Sequence, residues 1–491
     1  MKDSRKLFKQ YFTPDVVARF MVMNTPLQPG SRVIDPAVGD GVFIRSLESL
    51  PFGSFTGIDV DEDRVLELQN IFQGDKRIRL IVADALKEAP GTGTMDAAVG
   101  NPPFSNQKQK VRSREILKGY SLAGKRKALP MEILFLERFV RLLKPGGQLR
   151  IILPINVFVN RDLQFARDYI LRELRVEAIV ELPPDTFPGT PAKAAILFAV
   201  KEKEAPPCQV SLVSIESAGE LKSLAHLCIK DPALGIQRGT EEIRHRMDPR
   251  YHWGKARLDS LLAECPWPLA PVGDLAGIRG GFTRYGPRKS QIYSSSTGED
   301  SIRLIKAKNI SPLGFREDRG SFFIRQGEGV FHKKAQAQPS SVLFVRVGAG
   351  CIGRAYCIPG PRFPGQADDW FFILDGCRVN PFYLAFCLNS PLGRAQVTLE
   401  MHGTGTVSIN REKLSGIRIP LLPGPDQESF EKSLRAVYRL YGEGDRAGAE
   451  RLFREEESRL MHLLSLESLD TIPAKVREKP PGTPGKVETG R

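Results

Sequence analysis

The four residues Asn101-Pro102-Pro103-Phe104 have the types and order in this sequence that most directly indicate chemistry. They follow an apolar run, residues 95–100, that is typical of a buried strand. Proline fixes its backbone φ angle and donates no hydrogen bond, so the corner is rigid. The Asn101 side-chain oxygen and the Pro102 carbonyl can then both accept hydrogen bonds beside the flat ring of Phe104. Two acceptors and a stacking surface suit a planar amine, such as the exocyclic amine of adenine, although Asn-Pro is also an ordinary turn signal.

A turn upstream of this corner contains small residues that would let the backbone approach a ligand. Residues 33–43 predict a strand ending near Asp35, a tight turn with Gly39 and Gly41, and then a helix. Glycines permit the close approach, and a helix N-terminus supplies free N–H groups. An ordinary strand-to-helix connection would give the same pattern. The spacing is not the G-x-G-x-x-G fingerprint, so a nicotinamide cofactor is disfavoured.

Two acids follow the glycine turn, each at the end of a further predicted strand. Asp59 ends the strand predicted at 55–59, where an acid can accept hydrogen bonds from ribose hydroxyls. Asp84 follows the run 79–83, and its position suits the amino group of an adenine ring. Each acid alone would fit a helix cap or a solvated turn. Their order, glycine turn, acid, acid and NPPF, is hard to explain by chance.

In this order the motifs resemble those of the S-adenosylmethionine-dependent DNA methyltransferases that modify adenine N6. The resemblance covers roughly residues 8–201 and follows the gamma order, with the cofactor motif first and the recognition region last. Residues 9–14 look like the N-terminal cofactor motif and like the start of type I modification subunits, and 142–154 and 182–200 look like later motifs. Asp59 departs from the usual Glu, but the shorter acid can still reach a ribose.

The resemblance implies an α/β fold: a Rossmann-like class I S-adenosylmethionine-dependent methyltransferase domain, then an α+β, β-rich target-recognition domain and a C-terminal helical segment. It implies a site-specific enzyme that methylates N6 of a flipped-out adenine in duplex DNA, as the modification component of a restriction-modification system. Cytosine-N4 methylation, a protein glutamine or RNA substrate, and a DNA-specificity protein with an inactive methyltransferase domain stay open as alternatives.

The resemblance also assigns roles to individual residues of this chain. The catalytic corner is Asn101, Pro102, Pro103 and Phe104. Phe104 and Phe187 would stack on the two faces of the target base, although Phe187 also fits a core aromatic. The expected cofactor-binding residues are Tyr11, Thr13, Pro14, Asp35, Ala37, Gly39, Gly41, Asp59, Asp84, Ala85 and Asn101. No metal is expected at this site.

Basic residues are concentrated in two stretches of a chain whose formal net charge is +14. Residues 101–130 contain eight Lys or Arg and one acid, and residues 301–350 contain nine and three. Such runs are usually solvated surface, but one of them begins at NPPF, which favours phosphate binding. The expected DNA-binding residues are Lys108, Lys110, Arg112, Arg114, Lys125, Arg126, Lys127, Lys306 and Lys308.

Pattern changes along the chain predict five segments. Residues 1–230 are expected to form the methyltransferase domain, 231–270 a linker, 271–426 the target-recognition domain, 427–468 a helical segment and 469–491 a disordered tail. The stretches 303–310, 345–354, 383–391 and 403–421 resemble parts of the recognition domains found in type I specificity subunits and fused type II enzymes. A generic β-rich domain is the alternative for this half.

Composition bounds the class of protein. A chain of 491 residues with 41% hydrophobic residues predicts two or three domains. We find no run of eighteen apolar residues and no secretory leader, which predicts a cytoplasmic protein without a membrane anchor. Seven scattered cysteines argue against a disulfide framework or a zinc site. Double-stranded DNA is the expected partner, and since only about ten residues precede Tyr11, a nuclease would have to be a separate protein, whose existence stays open.

Overall fold

A computed structural model describes most of the chain, in two compact units. The described residues are 12–88, 91–105, 110–184, 186–187, 193–217, 220, 229, 231, 234–283, 301–317, 322–325, 331–360, 365–401 and 407–466. The first unit is Met1–Trp253 and the second is Gly254–Arg491.

A nine-stranded mixed sheet forms the centre of the first unit. Its order is β3-β2-β1-β4-β5-β7-β6-β8-β9. Strands β1 to β5 are parallel to one another, whereas β7 is antiparallel to both β5 and β6, and β9 is antiparallel to β8. The strands are β1 Arg32–Asp35, β2 Ser54–Asp59, β3 Ile78–Val82, β4 Met95–Gly100, β5 Leu143–Pro154, β6 Leu174–Glu181, β7 Ala194–Lys201, β8 Gln209–Ser214 and β9 Ile236–Gly239.

Apolar clusters cover both faces of this sheet. Val33 and Ala97 belong to one cluster, and their neighbours Ile34 and Ala98 belong to the other, because successive side chains of a strand point to opposite faces. Burial on both faces explains why β4 and β7 are apolar without alternation. The helices of the first unit are α1 Asp15–Met23, α2 Val42–Leu47, α3 Glu62–Ile71, α4 Arg114–Lys118, α5 Met131–Leu142, α6 Ile155–Val159, α7 Gln164–Glu173, α8 Thr240–Ile243 and α9 Pro249–Ala263, whose C-terminal part lies in the second unit.

The second unit combines small sheets with helices. It contains four-stranded sheets of order β11-β20-β17-β18 and β15-β12-β19-β16, with two-stranded sheets β10-β21 and β13-β14. The strands are β10 Leu269–Pro271, β11 Gly277–Gly280, β12 Ser301–Ile305, β13 Ile310–Ser311, β14 Gly314–Phe315, β15 Phe322–Arg325, β16 Gln336–Ala337, β17 Val342–Val345, β18 Ala355–Cys357, β19 Gly365–Ala367, β20 Phe371–Asp375 and β21 Arg418–Pro420. The helices are α10 Val272–Leu275, α11 Pro381–Asn389, α12 Pro391–Glu400, α13 Arg411–Ser415, α14 Gly424–Gly442 and α15 Arg446–Leu463.

The two long C-terminal helices pack into the core of the second unit. Phe386 of α11 stacks on Phe430 of α14 with ring centroids 5.0 Å apart, and meets Phe453 of α15 edge-on at 5.2 Å. The charged residues of α14 and α15 therefore lie on helices whose apolar faces are buried within their own unit. Residues 469–491, expected to be a disordered tail, lie outside the described residues.

The structure differs from the expected linker at 231–270. This segment contains β9, which extends the sheet of the first unit, and helices α8 and α9. The Trp253 indole nitrogen donates a hydrogen bond to the Leu212 carbonyl of β8 at 2.9 Å, and the two units divide immediately after Trp253. The sequence does not indicate a strand here because the edge strand β9 is short, polar and only half-buried. Among the described helices, none has the length and apolar character needed to cross a membrane.

Candidate functional site

The sheet brings the sequence motifs to one edge. Strands β2, β1 and β4 are adjacent and parallel, so their carboxyl ends lie side by side. Asp35 ends β1, Asp59 ends β2, and Asn101 follows β4 directly. Ligands of open α/β sheets bind at this edge. Motifs that are far apart in the sequence therefore lie close together at the carboxyl ends of these strands.

The turn after β1 requires its glycines. Gly39 has φ of +55° and Gly41 has φ of +78°, in the left-handed region that other residues rarely adopt. A Cβ atom on Gly41 would lie 2.6 Å from Cδ2 of Leu68 in α3. Gly41 is also the N-cap residue of α2, so the turn directs the N-terminus of that helix toward the edge.

Asp59 connects the end of β2 to this turn. Its carboxylate accepts hydrogen bonds from the Gly39 backbone N–H at 2.9 Å and from the Asp61 backbone N–H at 3.0 Å, one on each oxygen. The side chain is buried. A carboxylate oxygen can accept more than one hydrogen bond, so this arrangement holds the turn and leaves acceptor capacity for a ligand.

Asp35 is the site's most unusual group electrostatically. Its side chain is 0% exposed, and its Oδ1 accepts a hydrogen bond from the Ala37 N–H at 2.9 Å. Its Oδ2 is buried and has no hydrogen-bond partner among the described residues. Burial raises the pKa of this carboxyl well above its usual value, and the nearby carboxylates of Asp59 and Asp40 raise it further. A buried acceptor of this kind suits a cationic or hydrogen-bond-donating ligand.

Gly100, the residue before the NPPF corner, leaves room for the Asp35 side chain because it has no Cβ atom. A Cβ atom on Gly100 would lie 2.6 Å from Oδ1 of Asp35 and 2.9 Å from the Phe139 ring. Only glycine at the end of β4 lets β1, β4 and α5 pack this closely.

Asn101 is held by the N-terminal motif. Its Nδ2 donates a hydrogen bond to Oγ1 of Thr13 at 3.1 Å, and Thr13 is buried immediately before α1. Pro14 is the N-cap residue of that helix. Because Nδ2 is turned toward Thr13, the amide has a defined orientation in which Oδ1 is its acceptor atom. Tyr11, also expected here, lies outside the described residues.

The two candidate stacking rings belong to the same apolar cluster as α1. Phe104 is half-buried at its margin, and Pro102 beside it is buried. Phe187 is only 3% exposed. Phe104 therefore presents part of its ring, whereas the Phe187 ring is enclosed by core residues, and its stacking role stays a prediction.

The third strand contributes Asp84 and Ala85. Asp84 is half-buried, and its Oδ1 accepts a hydrogen bond from the Leu86 N–H at 3.0 Å, while Ala85 is buried. The carboxylate thus closes a local turn two residues beyond β3.

A cleft of about 540 Å³ opens beside the glycine turn. Gly39, Asp40 and Asp61 are among its lining residues, as is Phe12. Asp61 was not expected at the site. It caps α3, where Oδ2 accepts a hydrogen bond from Nε of Arg64 at 3.0 Å. Its signal in the sequence is an acid two residues after Asp59, at the start of a helical pattern.

The basic residues after NPPF lie on the surface. Lys110, Arg112, Arg114, Lys125, Arg126 and Lys127 are all exposed, whereas Lys108 lies outside the described residues. The Arg126 guanidinium lies 3.7 Å from the Phe165 ring centroid, so this side chain is partly engaged within its own unit.

In the second unit, Lys308 is exposed and Lys306 is half-buried. Their ammonium nitrogens lie 5.0 and 3.6 Å from the ring centroid of Phe322. Among the described residues, no group of three or more His, Cys, Asp or Glu could hold a metal ion.

Comparison with known proteins shows which proteins the first unit is similar to. Residues 2–230 match the family model described as N-6 DNA Methylase. The Type II methyltransferase M.TthHB8I of Thermus thermophilus is 31% identical over 194 residues, 38% of this chain and 43% of the relative. The Type II methyltransferase M.HincII of Haemophilus influenzae is 22% identical over 232 residues, 45% of this chain and 43% of the relative. The chain thus spans less than half the length of these relatives.

A solved structure resembles a larger part of the chain. The type IIG restriction endonuclease BpuSI has a TM-score of 0.52, with 14% sequence identity, over 88% of this chain and 62% of its own. This likeness concerns the fold alone, and its extent includes residues of both units. Together with the nine-stranded sheet of the first unit, it confirms the predicted Rossmann-like α/β fold followed by further structure.

S-adenosylmethionine is the cofactor of the N-6 DNA methylase family that residues 2–230 match, and the residues at the carboxyl edge of the sheet fit it. The glycine turn leaves space at Gly39, where a Cβ would meet only the Ala37 carbonyl, 3.8 Å away. The buried Oδ2 of Asp35 needs a donor or a cation, and the methionine part of the cofactor carries both an ammonium and a sulfonium group.

Proposed function

We propose that this protein transfers a methyl group from S-adenosylmethionine to N6 of a flipped-out adenine in duplex DNA, at a specific sequence. The observation that supports this most is the position of Asn101 at the end of β4, beside the glycine turn and Asp35 at the same sheet edge. The match of residues 2–230 to the N-6 DNA methylase family supports it independently.

The cofactor would be held by residues at the ends of three strands, β1, β2 and β3. Asp35 would accept from the methionine part, Asp59 from the ribose hydroxyls and Asp84 from the adenine amine. The glycine turn, with Ala37, and Ala85 would shape the walls, and Tyr11, Thr13 and Pro14 would close the pocket. When bound, S-adenosylmethionine supplies a methyl group on a positively charged sulfur, which is a good leaving group.

The residues of the NPPF corner would act on the target amine. The lone pair of adenine N6 is delocalised into the ring, so the amine is a weak nucleophile. Asn101 Oδ1 and the Pro102 carbonyl would accept its two hydrogens, which favours a pyramidal nitrogen with a localised lone pair. Pro103 keeps the corner rigid, and Phe104 would stack on the base. Holding the amine in line with the methyl group supplies much of the rate by orientation.

Rotating the base out of the duplex costs a few kcal/mol, which contacts with DNA must offset. The exposed basic residues at 110–127 follow the NPPF corner in the chain and would bind phosphates beside the target base. In the second unit, Lys306 and Lys308 flank an aromatic ring, the combination that nucleic-acid-binding surfaces use. We infer that this unit reads the target sequence and that the protein is the modification component of a restriction-modification system.

The direct test is transfer of a labelled methyl group. The protein is incubated with unmethylated duplex DNA and S-adenosylmethionine labelled in its methyl group, and the DNA is digested to nucleosides and separated. We expect label in N6-methyldeoxyadenosine. Label in N4-methyldeoxycytidine would keep the mechanism and change the base. No label in DNA from a protein that binds the cofactor would contradict the proposal.

A further inference from the structure

Helix α5 begins without a cap of its own. Its first residue is Met131, and the residue at its N-cap position, Pro130, makes no side-chain hydrogen bond to the helix. The Met131 N–H donates instead to Oγ of Ser105 at 2.6 Å. Ser105 lies 26 residues earlier and directly follows Phe104.

The same two segments exchange a second hydrogen bond. The backbone N–H of Ser105 donates to Oε2 of Glu132 at 2.9 Å. A serine side chain that caps a helix, and a helix acid that accepts from the serine backbone, form the reciprocal pair of a capping box. Here the serine comes from the NPPF loop rather than from the chain just before the helix. We call this pair, Ser105 with Met131 and Glu132, the loop clamp.

The acid of the loop clamp is buried, whereas Ser105 and Met131 are half-buried. The Glu132 side chain is 5% exposed. Burial raises the pKa of its carboxyl, while the bonds to Ser105 and the charge of Lys110 oppose that rise. Removing one partner of a buried hydrogen bond is costly because the other is left unsatisfied, so the contact resists opening.

The clamp fixes one end of a loop whose other end is fixed already. Asn101 directly follows β4 and bonds to Thr13. Helix α5 itself packs tightly on β4, because the Phe139 ring fills the space next to Gly100. Residues 101–105 are thus held at both ends against the same sheet and helix.

We propose that Glu132 is a positioning residue for methyl transfer: through the Ser105 backbone it sets the place of Phe104 and of the acceptors of the NPPF corner. The expected effect of Glu132 on methyl transfer rests on the proposed function, whereas its expected effect on the position of residues 101–105 does not. Glu132 contacts the loop rather than the glycine turn, so cofactor binding should be independent of it.

The experiment compares Glu132→Ala with Glu132→Gln. Glutamine keeps an acceptor oxygen, whereas alanine has none. We expect the exchangeable backbone amides of residues 101–105, those of Asn101, Phe104 and Ser105, to exchange roughly tenfold faster in Glu132→Ala, and kcat to fall about 10²-fold, as small misplacements of reacting groups do. The Kd for S-adenosylmethionine should stay within about twofold, and Glu132→Gln should restore most of both properties.

A matched control lies on the same helix. Glu137 is 1% exposed and accepts hydrogen bonds from Ser121 and Leu122 instead of the NPPF loop. Glu137→Ala should therefore speed exchange near 121–122 and leave 101–105 unchanged. If Glu132→Ala does not fold, Ser105→Ala removes the other hydrogen bond of the clamp, from the Met131 N–H to Ser105 Oγ. It should also give faster exchange and a lower kcat, to a smaller extent because the backbone N–H of residue 105 can still donate to Glu132.

Two results would overturn the inference: wild-type exchange at 101–105 in the alanine variants, or wild-type kcat despite a loosened loop. If the wild-type protein transfers no methyl group to DNA, the proposed function fails, and the exchange data still decide whether Glu132 holds the loop.

Discussion

At the scale of single residues, Asp35 destabilises the folded protein at neutral pH because its side chain is buried. Its carboxyl is buried, with one oxygen unpaired among the described residues, and its folded pKa is raised well above the usual 3.8. A raised folded pKa means that the contribution to stability is fully present below the unfolded pKa and is lost as the pH rises through the folded pKa. At neutral pH the folded protein therefore bears a cost that a neutral side chain would not.

The first prediction concerns Asp35→Asn. The amide can still accept from Ala37, so the variant should melt at a higher temperature than wild type at about pH 8, with the difference shrinking toward about pH 4. Loss of the charge should weaken S-adenosylmethionine binding roughly 10–100-fold, the usual range for a hydrogen bond to a charged group. Thermal melts at the two pH values and a cofactor titration check both parts. A difference in melting temperature that does not change with pH would contradict the assignment.

The second prediction separates the two candidate stacking rings. Phe187 is enclosed by core residues, so Phe187→Ala should lower the free energy of unfolding by about 3–5 kcal/mol. Phe104 is half-buried, so Phe104→Ala should cost less stability but lose about 1–3 kcal/mol of base stacking, seen as a lower kcat/KM for DNA. Denaturant unfolding and steady-state kinetics measure the two effects. Full stability in Phe187→Ala would show that its ring is not part of the core.

At the scale of elements, the turn after β1 needs two glycines because its backbone adopts conformations that other residues rarely adopt. Gly39 and Gly41 both have positive φ, but only Gly41 packs against another element, at Leu68 of α3. A substitution at Gly41 should therefore affect mainly folding, whereas a substitution at Gly39 should affect mainly ligand binding.

The third prediction uses this difference. Gly39→Ala should cost roughly 1–2 kcal/mol, the penalty of a left-handed residue, and Gly41→Ala should cost more because its Cβ overlaps Leu68. Gly39 lines the cleft, so its variant should bind S-adenosylmethionine more weakly despite the smaller loss of stability. Urea unfolding of both variants with a cofactor titration measures this. The reverse order of stabilities would refute the packing argument.

The elements of the first unit follow from the sequence where local patterns decide them. Apolar runs ending in Asp35, Asp59 and the NPPF corner predict buried parallel strands, and the structure places their ends together. Other features depend on distant partners. The antiparallel insertion of β7 between β5 and β6 is a matter of topology, and β9 is too short and polar to show a pattern. The loop clamp is formed by residues 26 positions apart, so no local signal for it exists in the sequence.

At the scale of the whole molecule, positive charge is concentrated in two stretches of the sequence, one of which begins at the NPPF corner. Residues 101–130 alone bear a net charge of +7 in a chain of +14. Within this stretch, the described residues Ser121 and Leu122 are fixed to α5, because their backbone N–H groups donate hydrogen bonds to Glu137. A fixed basic surface loses less entropy on binding than a flexible one.

The fourth prediction tests this surface through its salt dependence. The triple variant Lys110→Ala, Arg112→Ala and Arg114→Ala should weaken DNA binding and reduce the slope of log K against log salt by about 0.9 for each phosphate that the variant no longer neutralises. The control removes the same charge elsewhere in the first unit, at the exposed residues Lys76, Arg79 and Lys87. Binding isotherms at several salt concentrations measure the slopes. Equal slopes for the two triple variants would show that net charge alone, and not this surface, attracts DNA.

The central claim is that the NPPF corner performs methyl transfer at the sheet edge that binds the cofactor. The most direct test is the single-turnover rate of Asn101→Ala on unmethylated duplex DNA, with Asn70→Ala on the exposed face of α3 as the control. We predict that Asn101→Ala loses at least about 10²-fold in rate and keeps most of its affinity for S-adenosylmethionine, because Asp35, Asp59 and Asp84 would still hold the cofactor. Asn70→Ala should behave as wild type. A rate for Asn101→Ala close to that of wild type would contradict the account.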